Sequence, residues 1–128
     1  TSTGALTADQ LQQAVMALVP QTHLDFLTDL PLTIETDDLL FVHAGIKPGI
    51  PVVNQDPEDL LWIRAGFLED QTDHGKLVVH GHTALDSPQH FGNRVDLDGG
   101  AGYGRTLIPA VFEGRTCYLL TDTGRVPL

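Results

Sequence analysis

Two histidines in this sequence follow short apolar runs and are flanked by small residues. His43 comes directly after the run at 39–42, and His82 follows the run at 76–79 with only His80-Gly81 between. Imidazole is a good ligand for Zn, Mn or Fe, and small neighbours let a metal ion and a substrate approach the backbone. A packed or surface histidine is the alternative in each case. The recurrence of the pattern favours a metal or catalytic site.

The two apolar runs are too short for helices and predict buried strands that end at the histidines. Catalytic groups of α/β proteins commonly lie at the carboxyl ends of strands, where such histidines would stand. Further strands are predicted at 94–97, 106–112 and 116–121. The last two flank Glu113-Gly114-Arg115, a short connection suited to a hairpin.

Three helices are predicted from apolar spacing and from helix-breaking residues. Residues 5–30 give two helices with a break at Pro20, and a third helix is expected at about 57–68. Asp56 is its candidate N-cap, and Trp62 and Arg64 are its conspicuous long side chains. Helices first and strands later indicate a mixed α/β fold with a partly antiparallel sheet.

Composition narrows the partners and the compartment. The 128 residues suit one domain, and a formal net charge of −10 disfavours binding to nucleic acid or to an anionic membrane, which need a positive surface. The single Cys117 is expected to pack as a small apolar side chain, as in a reducing cytosol. Apolar runs fall far short of the roughly 20 residues that cross a bilayer. We expect a cytoplasmic protein.

Four motifs, taken in order, resemble the C-terminal half of calcineurin-like metallophosphoesterases of the phosphoprotein phosphatase family. The similarity is greatest to the bacterial branch of Ser/Thr phosphatases and diadenosine tetraphosphatases. The resemblance implies an α/β fold over residues 1–128, half of a β-sandwich flanked by helices with a mixed sheet. The motifs are Phe41-Val42-His43-Ala44-Gly45-Ile46-Lys47-Pro48-Gly49, Asp59-Leu60-Leu61-Trp62-Ile63-Arg64, Val78-Val79-His80-Gly81-His82-Thr83 and Asn93-Arg94-Val95-Asp96-Leu97-Asp98-Gly99-Gly100-Ala101-Gly102-Tyr103-Gly104.

The resemblance implies metal-dependent hydrolysis of phosphate esters over two divalent cations. It favours Mn²⁺, with Fe or Zn as alternatives, since the ligand types suit all of these metals. The expected substrate is a phosphorylated protein, and the complete enzyme is expected to be a Ser/Thr phosphatase. A symmetrical dinucleoside tetraphosphatase, acting on a small phosphate ester, is the alternative.

The resemblance also assigns roles to individual residues. His43 and His82 match metal ligands, Arg64 matches a phosphate-binding arginine, and Tyr103 matches a tyrosine at the rim of the site. A guanidinium suits this role because its planar fork can hold two phosphate oxygens. An exposed helix arginine and a simple core or rim aromatic are the alternatives for Arg64 and Tyr103.

Two further residues of these motifs, His80 and Asp98, receive other interpretations. His80 matches no ligand in that branch and is interpreted as a packed side chain, or as one that orients groups beside the metal. Asp98 is interpreted as structural.

The sequence lacks three motifs with which family members supply their remaining ligands and the general-acid histidine. These are Gly-Asp-x-His-Gly, Gly-Asp-x-x-Asp-Arg-Gly and Gly-Asn-His-Glu or Gly-Asn-His-Asp. No catalytic residue is therefore assigned, and we expect the chain alone to be weak or inactive. Because these motifs are absent, and because the sequence begins without Met, we expect a fragment whose N-terminal half was removed or is carried by another chain. A non-catalytic binding module is the alternative of another class.

Overall fold

The computed structural model describes residues 6–128, and the chain divides into two units, Thr1–Pro31 and Leu32–Leu128. The first unit holds helices α1 (Ala8–Leu18) and α2 (Gln21–Asp29), which confirms the predicted pair with a break at Pro20. Neither helix has a buried residue. No helix within residues 6–128 has the length and apolar character needed to span a membrane.

The larger sheet of the second unit has five strands and mixed direction, as predicted. Strands β2, β3 and β5 run parallel at its centre, and β1 and β4 pair antiparallel at its edges. The order across the sheet is β1-β2-β3-β5-β4. The strands are β1 (Thr33–Glu35), β2 (Leu39–Val42), β3 (Leu77–His80), β4 (Gln89–His90) and β5 (Arg94–Asp96).

An antiparallel three-stranded sheet packs on one face of the larger sheet. Its strands are β6 (Ala110–Glu113), β7 (Thr116–Thr121) and β8 (Gly124–Pro127). Cys117 is buried there, which confirms its predicted packing, and the rings of Phe41 and Phe112 meet edge to face at 5.9 Å. Alternate residues of β2, β3 and β5 supply the rest of this core. They are Leu39, Leu77, Val79 and Val95.

The opposite face of the larger sheet is covered by helix α3 (Pro57–Trp62) and the turn that follows it. Asp56 is the N-cap, since its carboxylate accepts a hydrogen bond from the Glu58 N–H at 2.9 Å. The predicted end at residue 68 is wrong. Ile63 is extended, and Gly66 has φ +85°, a conformation that glycine adopts without strain. This turn places Phe67, which is fully buried, in the core.

The remaining differences concern short exposed strands. The predicted strand at 106–112 begins only at Ala110 in the structure, after Pro109, which lacks the N–H that a strand ladder needs. The sequence predicts no separate strand at β1, β4 or β8. Six of their nine residues are not apolar, and nearly all are exposed, so they carry little apolar pattern.

Candidate functional site

The sheet brings His43 and His82 together. Because β2 and β3 run parallel, their carboxyl ends lie at the same edge, and the Gly81 N–H donates to the His43 carbonyl at 2.9 Å. The centroids of the two imidazole rings are 5.0 Å apart. The two histidines therefore lie side by side at the carboxyl ends of the central parallel strands.

His82 combines an unusual backbone conformation with a ring nitrogen that has no partner among the described residues. Its φ is +66°, and it alone among the non-glycine residues described has a positive φ. Its Nε2 atom is buried and has no hydrogen-bond partner within residues 6–128. Burial lowers the pKa of His82, and the charges of Arg64 and His43 lower it further. A lowered pKa favours the neutral ring, which is the form that binds metals.

Arg64 lies in the turn after α3, close enough for its charge to act on His82. The turn is closed by hydrogen bonds from the N–H groups of Phe67 and Leu68 to the Arg64 carbonyl, at 3.2 and 3.0 Å. The Ala44 N–H donates to the Leu60 carbonyl at 2.9 Å and so joins α3 to the segment that carries His43. The Arg64 side chain itself is exposed.

Tyr103 stands in a different setting. It ends a short 3-10 helix, Ala101–Tyr103, and 83% of its surface is exposed. In the part of the chain that the structure describes, no aromatic contact joins its ring to His43 or His82. Its place at the rim of a site stays a prediction.

Asp98 lies beside the segment that carries His82. A Cβ atom added at Gly81 would stand 3.3 Å from the Asp98 Cβ atom, so a larger residue there would require Asp98 to shift slightly. The Asp98 carboxylate accepts a hydrogen bond from the Gly100 N–H at 2.9 Å. Its negative charge raises the pKa of His82 against the stronger effect of burial. These contacts agree with the structural role expected from the sequence.

His80 is fully enclosed, and sequence reasoning missed its main partner, Arg94. The His80 Nε2 atom lies 3.1 Å from Arg94 Nη1, and its Nδ1 atom lies 3.1 Å from the Gly81 carbonyl. Burial lowers the pKa of His80 to about 4, so its ring is neutral at pH 7. The sequence feature that could have indicated a buried polar contact is the alternation Arg94-Val95-Asp96, which puts two charged side chains on one face of a buried strand.

Comparison with known proteins gives one structural likeness and no sequence match. No protein-family model and no curated protein matches the chain. The structure is similar to the crystal structure of a candidate diadenosine tetraphosphatase, with 19% sequence identity and a TM-score of 0.58. The match covers 89% of this chain and 58% of that one. The likeness is one of fold: a mixed sheet with flanking helices, consistent with part of a metallophosphoesterase fold. Because the chain spans only 58% of the matched structure, the likeness extends to part of that fold.

The residues present fit part of a metal site. The buried Nε2 atom of His82 has no partner in the described residues, and a ring nitrogen so placed is suited to a metal bond. No group of three or more His, Cys, Asp or Glu side chains within residues 6–128 could hold a metal ion. A catalytic zinc takes three protein ligands, and His43 and His82 supply two.

Proposed function

We propose that this protein takes part in metal-dependent hydrolysis of phosphate esters, with His43 and His82 as ligands on one side of a two-metal site. The observation that carries the proposal is the 5.0 Å distance between the ring centroids of His43 and His82. The His82 Nε2 atom is also buried and has no partner among the described residues. The metallophosphoesterase-type fold supports the same class of reaction. Mn²⁺ is the proposed metal, with Fe and Zn as alternatives.

In this proposal each residue has a defined task. His43 and His82 would hold the cations through neutral imidazole nitrogens. The hydrogen bond from the Gly81 N–H to the His43 carbonyl holds together the two segments that carry these histidines. When bound, the cations supply a nucleophilic hydroxide and neutralise charge on the phosphoryl oxygens. The exposed guanidinium of Arg64 would hold two phosphate oxygens through its planar fork.

The remaining ligands would come from a polypeptide that this sequence does not include. A site with two protein ligands is incomplete, so we propose that a segment with the missing acidic and histidine motifs completes it, either in the same protein or as a partner. Catalytic turnover would then need both parts, whereas weak metal binding needs only this chain.

The central test is Mn²⁺ binding by the 128-residue chain, followed by electron paramagnetic resonance. We expect weak binding that disappears in His43→Ala and His82→Ala and persists in His23→Ala, a control on the exposed face of α2. Turnover of an aryl phosphate with Mn²⁺ should be slow. Metal content unchanged by both site substitutions would refute the proposal and favour a non-catalytic binding module.

For the substrate, we propose a phosphorylated Ser or Thr in a protein, and a dinucleoside tetraphosphate as the second candidate. The second is favoured by the described activity of the similar structure and by Trp62, which is 61% exposed with its ring 5.7 Å from that of His82. An exposed indole offers a flat face on which a nucleobase could stack.

Hydrolysis of a phosphopeptide and of diadenosine tetraphosphate by the completed protein would separate the two. If the nucleotide is the substrate, Trp62→Leu should raise its KM several-fold and leave phosphopeptide hydrolysis unchanged. Efficient hydrolysis of the phosphopeptide alone would exclude the second candidate.

A further inference from the structure

A series of hydrogen bonds that involves the buried side chains of Arg94 and His80, called the Arg94–His80 relay below, lies next to the candidate site. The Arg94 guanidinium donates from Nη2 to the Leu68 carbonyl at 2.9 Å, and its Nη1 atom lies 3.1 Å from His80 Nε2. Arginine can only donate, so the His80 Nε2 atom must accept. In the neutral ring the proton is then on Nδ1, which donates to the Gly81 carbonyl at 3.1 Å. The donor and the acceptor of each hydrogen bond in this series are thereby fixed.

Each end of this series of hydrogen bonds reaches a residue of the candidate site. At one end, the Leu68 N–H donates to the carbonyl of Arg64, the candidate phosphate ligand, at 3.0 Å. At the other end, Gly81 precedes His82 and donates its own N–H to the His43 carbonyl at 2.9 Å. The turn with Arg64 and the segment with His82 are thus joined through two buried side chains.

We propose that Arg94 and His80 are positioning residues that fix the Arg64 turn relative to His82. This inference rests on the proposed function for the roles of Arg64 and His82. The Arg94–His80 relay would help to set the distance between the phosphate-binding group and the metal ligand, because it joins the two segments that carry them. It would also stabilise the left-handed backbone at His82, whose φ is +66°.

The energetics of Arg94 support a task beyond packing. The residue is 4% exposed, and its Nε atom is buried with no partner among the described residues. Its guanidinium lies over the Phe91 ring at 3.8 Å. Enclosing a guanidinium is costly, and an apolar side chain in the same volume often gives equal or greater stability. The charges of Asp96 and Glu69 offset part of this cost, and the hydrogen bonds to His80 and to the Leu68 carbonyl give the guanidinium a fixed direction, which suits an orienting role.

The test uses nuclear magnetic resonance of the full 128-residue chain. In the native chain we expect the Nδ1–H tautomer of His80 and a nuclear Overhauser effect between the rings of His43 and His82. Arg94→Met should remove that ring-to-ring signal while the chain stays folded. Arg125→Met is the matched control, because this exposed arginine pairs with Glu113 on the small sheet. We expect the control to retain the signal.

His80→Phe provides a second variant that preserves the ring and its edge contact with Phe67 at 5.1 Å but loses both hydrogen bonds. It should also lose the ring-to-ring signal. Where Mn²⁺ binds, both relay variants should weaken its affinity by about 10-fold to 100-fold, as is typical for groups that orient metal ligands.

The outcomes separate the two ideas. A native chain that binds no Mn²⁺ would refute the proposed function, and the ring-to-ring signal would still decide whether the relay orders the site. Folded Arg94→Met and His80→Phe chains that keep this signal would overturn the relay.

Discussion

At the scale of single residues, His82 combines ligand chemistry with a backbone conformation that favours glycine. A positive φ at a non-glycine residue costs roughly 1 kcal/mol or more, and such strain is concentrated at functional sites. The strain here coincides with a buried nitrogen that lacks a partner in the described residues. Both features are explained if the side chain is held ready for a ligand.

Two substitutions at His82 should separate its backbone strain from its ligand role. We expect His82→Gly to be more stable than His82→Ala by about 1 kcal/mol, because only glycine adopts this φ without strain. Both variants should lose Mn²⁺ binding. Urea unfolding and metal titration measure the two effects, and equal stability of the variants would show that the segment relaxes when the imidazole is removed.

Asp96 should make the stability depend on pH. Burial raises the pKa of its carboxyl group from 3.8 to about 6, against the Asp98 backbone hydrogen bond and the Arg94 charge. The folded chain therefore holds this proton more tightly than the unfolded chain. The stabilisation is full below pH 3.8 and is lost as pH rises through about 6. Between pH 5 and pH 7 the loss is on the order of 1 kcal/mol.

Asp96→Asn should lack that decline, since its amide does not titrate. The free energy of unfolding of the native chain, relative to this variant, should fall from pH 5 to pH 7. His80 acts in the opposite sense, because its pKa is lowered to about 4 and its contribution is lost as pH falls. Asp86→Asn, at a fully exposed side chain, is the control. A parallel pH dependence of both variants would contradict the prediction.

At the scale of elements, the segment after β2 is locked to the turn after α3 by one close contact. A Cβ atom added at Gly45 would clash with the buried Phe67 ring, whose Cδ1 atom lies against this glycine. Gly45 follows His43-Ala44, and Phe67 follows the turn with Arg64. The contact therefore aligns the two segments that carry site residues, independently of the Arg94–His80 relay.

Gly45→Ala should destabilise the chain by roughly 3 kcal/mol or more, because the added methyl group would force Phe67 out of its place. Gly49→Ala is the matched control, with a positive φ but no atom within 4 Å of the added Cβ. It should cost only about 1 kcal/mol of backbone strain. Chemical unfolding compares the two, and Phe67→Leu should partly rescue Gly45→Ala. A similar loss in both glycine variants would assign the effect to strain alone.

At the scale of the whole molecule, the two units differ in how much apolar surface they bury. Helices α1 and α2 are amphipathic yet contain no buried residue, and Leu11, Leu18 and Phe26 are between 54% and 83% exposed. The second unit has a core on both faces of its larger sheet. Its stability should therefore be largely its own.

Deletion of residues 1–31 should leave the second unit folded, with its free energy of unfolding changed by less than about 1 kcal/mol, since burial supplies most folding stability. Chemical unfolding followed by Trp62 fluorescence, together with the His43–His82 ring signal, checks this. Loss of cooperative unfolding in the shortened chain would show that the helices are needed for the core.

The sequence by itself determined the local features that depend on short-range chemistry. The break at Pro20, the Asp56 cap, the two apolar strands that end at histidines and the burial of Cys117 each follow from residue type and spacing within a few positions. Mixed sheet direction followed from the order of helices and strands.

The tertiary structure decided what depends on residues distant in sequence. It ended α3 at Trp62, because Phe67 fills the core only when the chain turns there. It also showed that His43 and His82 meet, which requires β2 and β3 to pair in parallel across more than thirty intervening residues. Arg94 could not be assigned to His80 from the sequence, since that bond depends on neighbouring strands and on the turn at Leu68. Strand pairing is a long-range property, so residue spacing alone does not fix it.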